Sequence, residues 1–271
     1  MAKSKHISGK NAKRRKDAQN KRNWIYGTHA VTAALANPAR RNERLVLSAE
    51  AARSPQFYPY TGPDGNEQSP RLALRLEIMP GPEIGALLPP GAVHQGAALL
   101  AEPLEQVGLD TILEETAKQE HVALVVLDQA TDPRNIGAVA RTAAALGAAC
   151  LIVTERGAPE ITGALAKAAS GALEQIPLVR VTNLVRSLGE IKKSGFWCAG
   201  LDAKGTDSLA QANLSGRVAL VLGSEGGGLR RLTAEHCDFL ARIDMEPGAA
   251  SLNLAAAAAI TLHEWARRRE D

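Results

Sequence analysis

Three polar clusters in this sequence carry residue types suited to chemistry, and each follows an expected strand. The first is Asp132-Pro133-Arg134-Asn135-Ile136-Gly137, with Arg141 further along. Asn135 suits a helix N-cap, and Gly137 leaves the start of that helix accessible. Arg141 follows Asn135 by six residues, about 9 Å along a helix axis. Side chains lean toward a helix N-terminus, so its guanidinium can reach back to the strand ends. A capped helix with a surface arginine has the same pattern. The second cluster is Gly223-Ser224-Glu225-Gly226-Gly227-Gly228. A glycine-rich loop after a strand exposes backbone N–H groups and admits a ligand closely. Its glycines lack the G-x-G-x-x-G register, and no Lys-Ser/Thr pair follows, so it is neither a dinucleotide fingerprint nor a Walker loop. Glu225 would repel phosphates, which favours an uncharged or cationic ligand over a plain glycine turn. The third cluster runs from Ile243-Asp244-Met245-Glu246-Pro247-Gly248 to Ser251-Leu252-Asn253. Ser251 and Asn253 can cap the helix that follows, or hold a hydroxyl substrate by hydrogen bonds.

Other chemistries lack their residues. Cys150, Cys198 and Cys237 are widely spaced, with no C-x-x-C pair and no histidine at ligand spacing. They read as buried thiols of a reducing cytoplasm. His263-Glu264 opens like H-E-x-x-H, but Arg267 holds the fifth place, so the metalloprotease motif is absent and no metal is expected.

These clusters need a scaffold, and the rest of the chain supplies one. The 271 residues suggest about two domains. Hydrophobic residues are 45% but aromatics only 3%, so Ala, Leu and Val must build the core. A membrane-spanning helix is excluded because no run approaches about 18 apolar residues. The net charge of +3 is uneven: residues 1–22 hold nine Lys or Arg against Asp17 alone. Residues 1–23 are therefore expected to be a disordered basic arm, either a solubilising tail or a nucleic-acid contact. Residues 24–104 alternate short helix and strand signals: a helix over 28–36, strands over 44–48, 72–79 and 97–101, and a Pro/Gly loop over 53–70. Residues 105–119 read as a polar, helix-like linker. Over 120–271 strands are expected at 122–127, 150–153, 176–181, 197–201, 218–222 and 240–243. Helices are expected at 135–146, 162–169, 184–193 and 254–268. This alternation predicts a parallel, doubly wound α/β sheet, with ligands at the C-terminal strand ends.

In order, spacing and wording (N-x-G-x-x-x-R, G-S-E-G-x-G and S-L-N), the three clusters resemble the SpoU/TrmH family of S-adenosylmethionine-dependent RNA ribose 2′-O-methyltransferases. The resemblance covers about 120–268. It extends upstream through Tyr26-Gly27-Thr28-His29-Ala30-Val31 and Gly91-Ala92-Val93-His94-Gln95-Gly96. Those segments point to the branch with an RNA-binding N-terminal domain that methylates a guanosine of 23S rRNA. A tRNA methyltransferase of the same family and an inactive RNA-binding protein are the alternatives. An oxidoreductase is disfavoured by the missing dinucleotide register.

The resemblance implies a parallel sheet (the SPOUT fold) with a deep C-terminal trefoil knot, a homodimer and a cytoplasmic location. It implies that Gly223, Ile243 and Leu252 line the S-adenosylmethionine pocket, with Gly200, Leu222, Ser251 and Asn253 nearby. It names Arg141 as general base, with Asn135, Glu225, Ser251 and Asn253 orienting the ribose. A guanidinium is effectively always protonated, so Arg141 could instead bind a phosphate and stabilise developing oxyanion charge. Two positions depart from the family: Asp244 stands where Pro is usual, and Ala255 where Ser is usual.

Overall fold

The computed structural model describes residues 23–65, 74–159, 161–248 and 251–268. The expected basic arm, save Asn23, lies outside the described residues, as does part of the expected 53–70 loop. The chain begins with β1 (Trp24–Tyr26), α1 (Thr28–Ala36), β2 (Asn42–Leu47), α2 (Ala49–Ala52), a 3-10 turn (Pro55–Phe57), α3 (Tyr58–Thr61), β3 (Arg75–Ile78), α4 (Gly81–Leu87) and β4 (Ala97–Ala101). It continues with α5 (Leu109–Glu115), β5 (Val122–Leu127), α6 (Pro133–Ala145), β6 (Cys150–Thr154), α7 (Gly163–Ala169), a 3-10 turn (Ala172–Glu174), β7 (Leu178–Val181) and α8 (Leu184–Lys193). The last elements are β8 (Trp197–Leu201), β9 (Asp207–Ser208), β10 (Arg217–Leu222), α9 (Arg231–His236), β11 (Phe239–Arg242) and α10 (Leu254–Arg267). No helix among the described residues is long and apolar enough to cross a membrane.

The contacts divide the chain into two units, one reaching Leu104 and including Ile161–Gly171, the other holding the remainder. The first unit contains a four-stranded sheet in the order β1-β4-β2-β3. Only the β2/β3 pair is parallel; β4 runs antiparallel to both β1 and β2. Trp24, Tyr26, Val46, Ile84, Leu88 and Ala98 form its buried core. Helix α7 belongs to this unit because Gly163 lets it lie directly on β1. A Cβ there would fall 2.3 Å from the Trp24 carbonyl oxygen and 2.4 Å from the Tyr26 ring. The two upstream motifs meet beside it: a Cβ on Gly27 would stand 3.2 Å from Gln95 Oε1, and Gly27 N–H donates to the carbonyl of Ala97, the residue after the second motif, at 3.1 Å. The expected loop at 53–70 is in part helical instead, over Pro55–Phe57 and Tyr58–Thr61. Pro55 and Pro59 sit in first-turn positions, where a fixed φ and a missing N–H cost nothing.

The second unit is built on a seven-stranded sheet in the order β7-β6-β5-β10-β8-β11-β9, with every neighbouring pair parallel. Parallel strands covered on both faces read as unbroken apolar runs. All six residues of β5, Val-Ala-Leu-Val-Val-Leu, are accordingly buried. Leu124, Val126, Ile152, Val179, Leu188, Ala219 and Val221 belong to the core on one face. Residues 105–119 contain α5, and its Leu109 and Ile112 are buried in that core. Helix α10 packs against α6 and buries Leu254, Ala258, Thr261, Leu262 and Trp265. The alanine run thus lets two helices approach closely, while Ala256 and Ile260 stay exposed.

Candidate active site

Parallel pairing brings the loops that carry chemistry to one edge of the sheet. Leu222 of β10 is in register with Leu127 of β5 on one side and Leu201 of β8 on the other, and Ala241 of β11 also pairs with Leu201. The loops following these four strands therefore emerge side by side. Asn135 is not the N-cap of α6. Asp132 is, its carboxylate accepting from Arg134 N–H at 2.8 Å, with Pro133 opening the helix. Proline is pre-organised for that first helical position, which moves the start back and leaves the Asn135 side chain free for other contacts. Its Nδ2 donates to Glu225 Oε1 at 2.9 Å, and its Oδ1 accepts from Asn253 Nδ2 at 3.2 Å. Glu225 Oε1 also accepts from Leu254 N–H at 3.3 Å. Asn253 caps α10 through Oδ1, which accepts from Ala256 N–H at 3.0 Å. Capping and site-building, alternatives in the sequence, are both done by this one side chain. The three clusters thus join in a single hydrogen-bonded network.

Beside the network lies a cavity of about 420 Å³. Leu222, Gly223, Glu225, Ile243, Ser251 and Leu252 all line it. Ser224 and Gly228 exchange backbone hydrogen bonds at 3.1 and 3.0 Å, closing the glycine loop into a tight hairpin. Gly223 sits under that hairpin, where a Cβ would fall 2.0 Å from the Gly228 carbonyl carbon. Among the expected pocket residues, Gly200 and Asn253 are not part of the lining. Gly200 is buried within β8; a Cβ there would meet Leu240, Cys237 and Leu229 at 2.6–2.9 Å, so its role is close packing beneath the site. Arg141 is likewise outside the lining. It is exposed on α6, off the buried face formed by Ile136, Val139, Ala140 and Ala143.

The sequence reading overlooked two features of this edge. Asp128, wholly buried at the end of β5, is paired with Arg230 just past the glycine loop, at 2.6 Å to Nη2 and 2.7 Å to Nε. Its other oxygen accepts from Arg230 N–H at 3.1 Å. The pair fastens the exit of the glycine loop to β5. Asp202 and Lys204, after β8, also line the cavity. Both aspartates follow directly on the last residue of a parallel strand, the place where ligands bind in open α/β sheets; that position was the available signal. Asp244 is ion-paired with Arg242 at 3.2 Å, and Arg242 also donates to the carbonyls of Gly205 and Thr206. Arg242 thus ties the end of β11 to the loop after β8, and Asp244 pairs with that arginine.

The cysteines offer no nucleophile here. Burial pushes the thiols of Cys198 and Cys237 up to about 12, and drives Cys150 upward as well. A thiol that stays protonated is unreactive. Among the described residues, no three His, Cys, Asp or Glu side chains form a group that could hold a metal ion.

Residues 123–263, which contain all three clusters, match the SpoU rRNA Methylase family. This chain is a member of that family. A relative from Pasteurella multocida, named 23S rRNA (guanosine-2′-O-)-methyltransferase RlmB, is 38% identical over 255 residues, covering 90% of this chain and 98% of that one. The SpoU methyltransferase AviRb from Streptomyces viridochromogenes, solved with the cofactor AdoMet, shares the fold at a TM-score of 0.76 and 22% identity, covering 95% of this chain and 94% of its own. An AdoMet-bound rRNA methyltransferase from Sinorhizobium meliloti gives a TM-score of 0.70 at 25% identity, over 93% of this chain and 89% of that one. The SpoU match spans the strands and loops that build the cavity and its network.

Proposed function

We propose that this protein transfers a methyl group from S-adenosylmethionine to the ribose 2′-hydroxyl of a guanosine in 23S rRNA. The observation that carries the reading is the network of Asn135, Glu225 and Asn253 at the mouth of a glycine-walled cavity. The residues present suit the cofactor. The lining holds two carboxylates, Asp202 and Glu225, against one ammonium, Lys204, which favours a sulfonium cation. Gly223 keeps the floor bare of side-chain atoms, so backbone groups can contact a flat base. Gly223, Leu222, Ile243, Ser251 and Leu252 would hold the cofactor, which supplies an electrophilic methyl carbon when bound.

The remaining work falls to the protein's own side chains. Asn135, Glu225 and Asn253 fix one another, and with Ser251 they orient the ribose so that its 2′-oxygen faces the cavity. Holding reactants in an attack geometry supplies a large part of any such rate enhancement. Arg141, about one and two-thirds turns beyond Asn135 along α6, stabilises negative charge as the 2′-hydroxyl loses its proton, or holds the adjoining phosphate. RNA affinity comes from the N-terminal region 24–104 together with the basic residues 1–22, and 105–119 leads into the catalytic domain at 120–271. The C-terminal segment passes through the sheet's own loops as a trefoil knot. Backbone crossings at Gly205, where a Cβ would fall 2.6 Å from the Ala241 carbonyl carbon, and at Gly223 support that path. Two copies associate in the cytoplasm through the exposed strip of α10 that includes Ala256 and Ile260; light scattering at micromolar concentration checks the dimer. The central test is a map of ribose methylation across 23S rRNA and tRNA in a strain lacking the protein. One guanosine of 23S rRNA should lose its 2′-O-methyl group and regain it on complementation. A lost mark in tRNA, or no lost mark, would overturn the reading.

A further inference from the structure

We infer that Asp202 is a cofactor-contacting residue whose carboxylate accepts hydrogen bonds from the ribose diol of the adenosine moiety; this rests on the methyltransferase reading above. Asp202 follows immediately on Leu201, the last residue of β8, and Leu201 pairs with Leu222, the residue before the glycine loop. The acid therefore stands at the carboxyl end of the strand beside the one that bears the glycine-rich turn. In dinucleotide folds that relation between a glycine turn and a neighbouring acid is the one that grips a ribose hydroxyl. Here it arises on a sheet with a different strand order, so the physical logic transfers and the motif does not.

The local geometry prepares the carboxylate for this task. Asp202 N–H donates to the Ala241 carbonyl at 3.0 Å, and Gly205 N–H donates to the Asp202 carbonyl at 2.9 Å. Asp202 Oδ1 accepts from Lys204 N–H at 2.8 Å. With the backbone held and one oxygen engaged, the direction of the other is set. That atom, Oδ2, has no hydrogen-bond or ion-pair partner among the described residues, and it lies 3.4 Å from where a Cβ on Gly228 would stand. It therefore overlooks the glycine hairpin from across the cavity. Glu225, the other carboxylate of the lining, already spends Oε1 on Asn135 and Leu254. Asp202 takes no part in that network; its Oδ2 stands apart from it and is available to a ligand. A carboxylate offers acceptors only, so its complement is a donor. The cofactor has three sets of donors, the ribose diol, the α-ammonium and the adenine amine; backbone groups serve the base, and the strand-end position favours the diol.

The test is calorimetric titration of the full-length protein with S-adenosylhomocysteine and with 5′-methylthioadenosine, which keeps the ribose but lacks the amino acid. Asp202→Ala should weaken both ligands by a similar factor, about 10–100-fold for a hydrogen bond to a charged group. Asp202→Asn retains an acceptor and a similar shape, so it should lose less for both. Circular dichroism of the two variants separates lost contact from lost fold. Unchanged affinity for both ligands in folded Asp202→Ala would overturn the assignment. So would a loss confined to S-adenosylhomocysteine, which would give the carboxylate to the ammonium. A wild-type protein that binds neither ligand would overturn the cofactor reading, and this inference with it.

Discussion

Replacing Asn135 by aspartate is the sharpest probe of the network, because it keeps the shape and changes only a donor into a charge. Asn135 Nδ2 lies 2.9 Å from Glu225 Oε1, so Asn135→Asp sets two carboxylates against each other. Unit charges about 4 Å apart repel by ~1 kcal/mol in water and ~4 kcal/mol at the effective dielectric of a protein surface. Glu225 is exposed, so the screened end of that range applies, about 1–2 kcal/mol. Two like charges that close take up one shared proton at higher pH than either would alone. The pair should therefore take up that proton more readily than an isolated carboxylate. Once it is protonated, a carboxyl donates to its partner, as the amide did; when both ionise, the network opens. Single-turnover methylation should thus be about 5–30-fold slower than wild type where both carboxylates are ionised and recover toward it as the pH is lowered. Asn135→Ala, which has nothing to protonate, should be impaired by a factor that does not depend on pH. The assay is the ratio of variant to wild-type rate as a function of pH, with cofactor and RNA saturating. A ratio for Asn135→Asp that stays flat, or falls as pH falls, would refute the argument that this hydrogen bond orients the substrate.

Arg141→Ala should lower the methyl-transfer rate by about 10²–10³, the cost of losing one group that stabilises developing charge. Because Arg141 is exposed and off the buried face of α6, thermal unfolding should change by no more than about 0.5 kcal/mol; a near wild-type rate would remove it from the mechanism. Gly223→Ala places a methyl 2.0 Å from the Gly228 carbonyl carbon. It should cost about 1–3 kcal/mol in denaturant titrations and weaken S-adenosylhomocysteine at least tenfold; unchanged affinity would mean the floor of the cavity is not where the ligand sits. Deleting residues 1–22, with nine basic residues against one acid, should weaken RNA binding at low salt and flatten its salt dependence, leaving cofactor affinity untouched. An unaltered salt slope in filter-binding assays would make that segment a solubilising tail.

What the sequence showed, and what it hid, divides along a physical line. Strands β5, β6 and β10 are legible because a strand buried on both faces reads as an apolar run, as Val122–Leu127, Cys150–Thr154 and Val218–Leu222 do. The two-residue strand β9 has no pattern long enough to detect. Helix α7 is legible as a helix, but not its attachment to β1, which depends on the absence of one Cβ at Gly163. The start of α6 was misread because an asparagine and an aspartate both cap well, and only the proline between them decides. The site divides in the same way. Asn135 and Glu225 are 90 residues apart, and Asn135 and Asn253 are 118 apart. Their residue types mark them as polar groups at strand ends, and in a sheet whose strands all run one way every strand end of that kind reaches the same edge. Which ends become neighbours depends on strand order, here β5-β10-β8-β11. The motifs therefore announce the chemistry, while Asp128 and Asp202, whose importance lies only in which strand stands beside theirs, stay silent until the sheet is assembled.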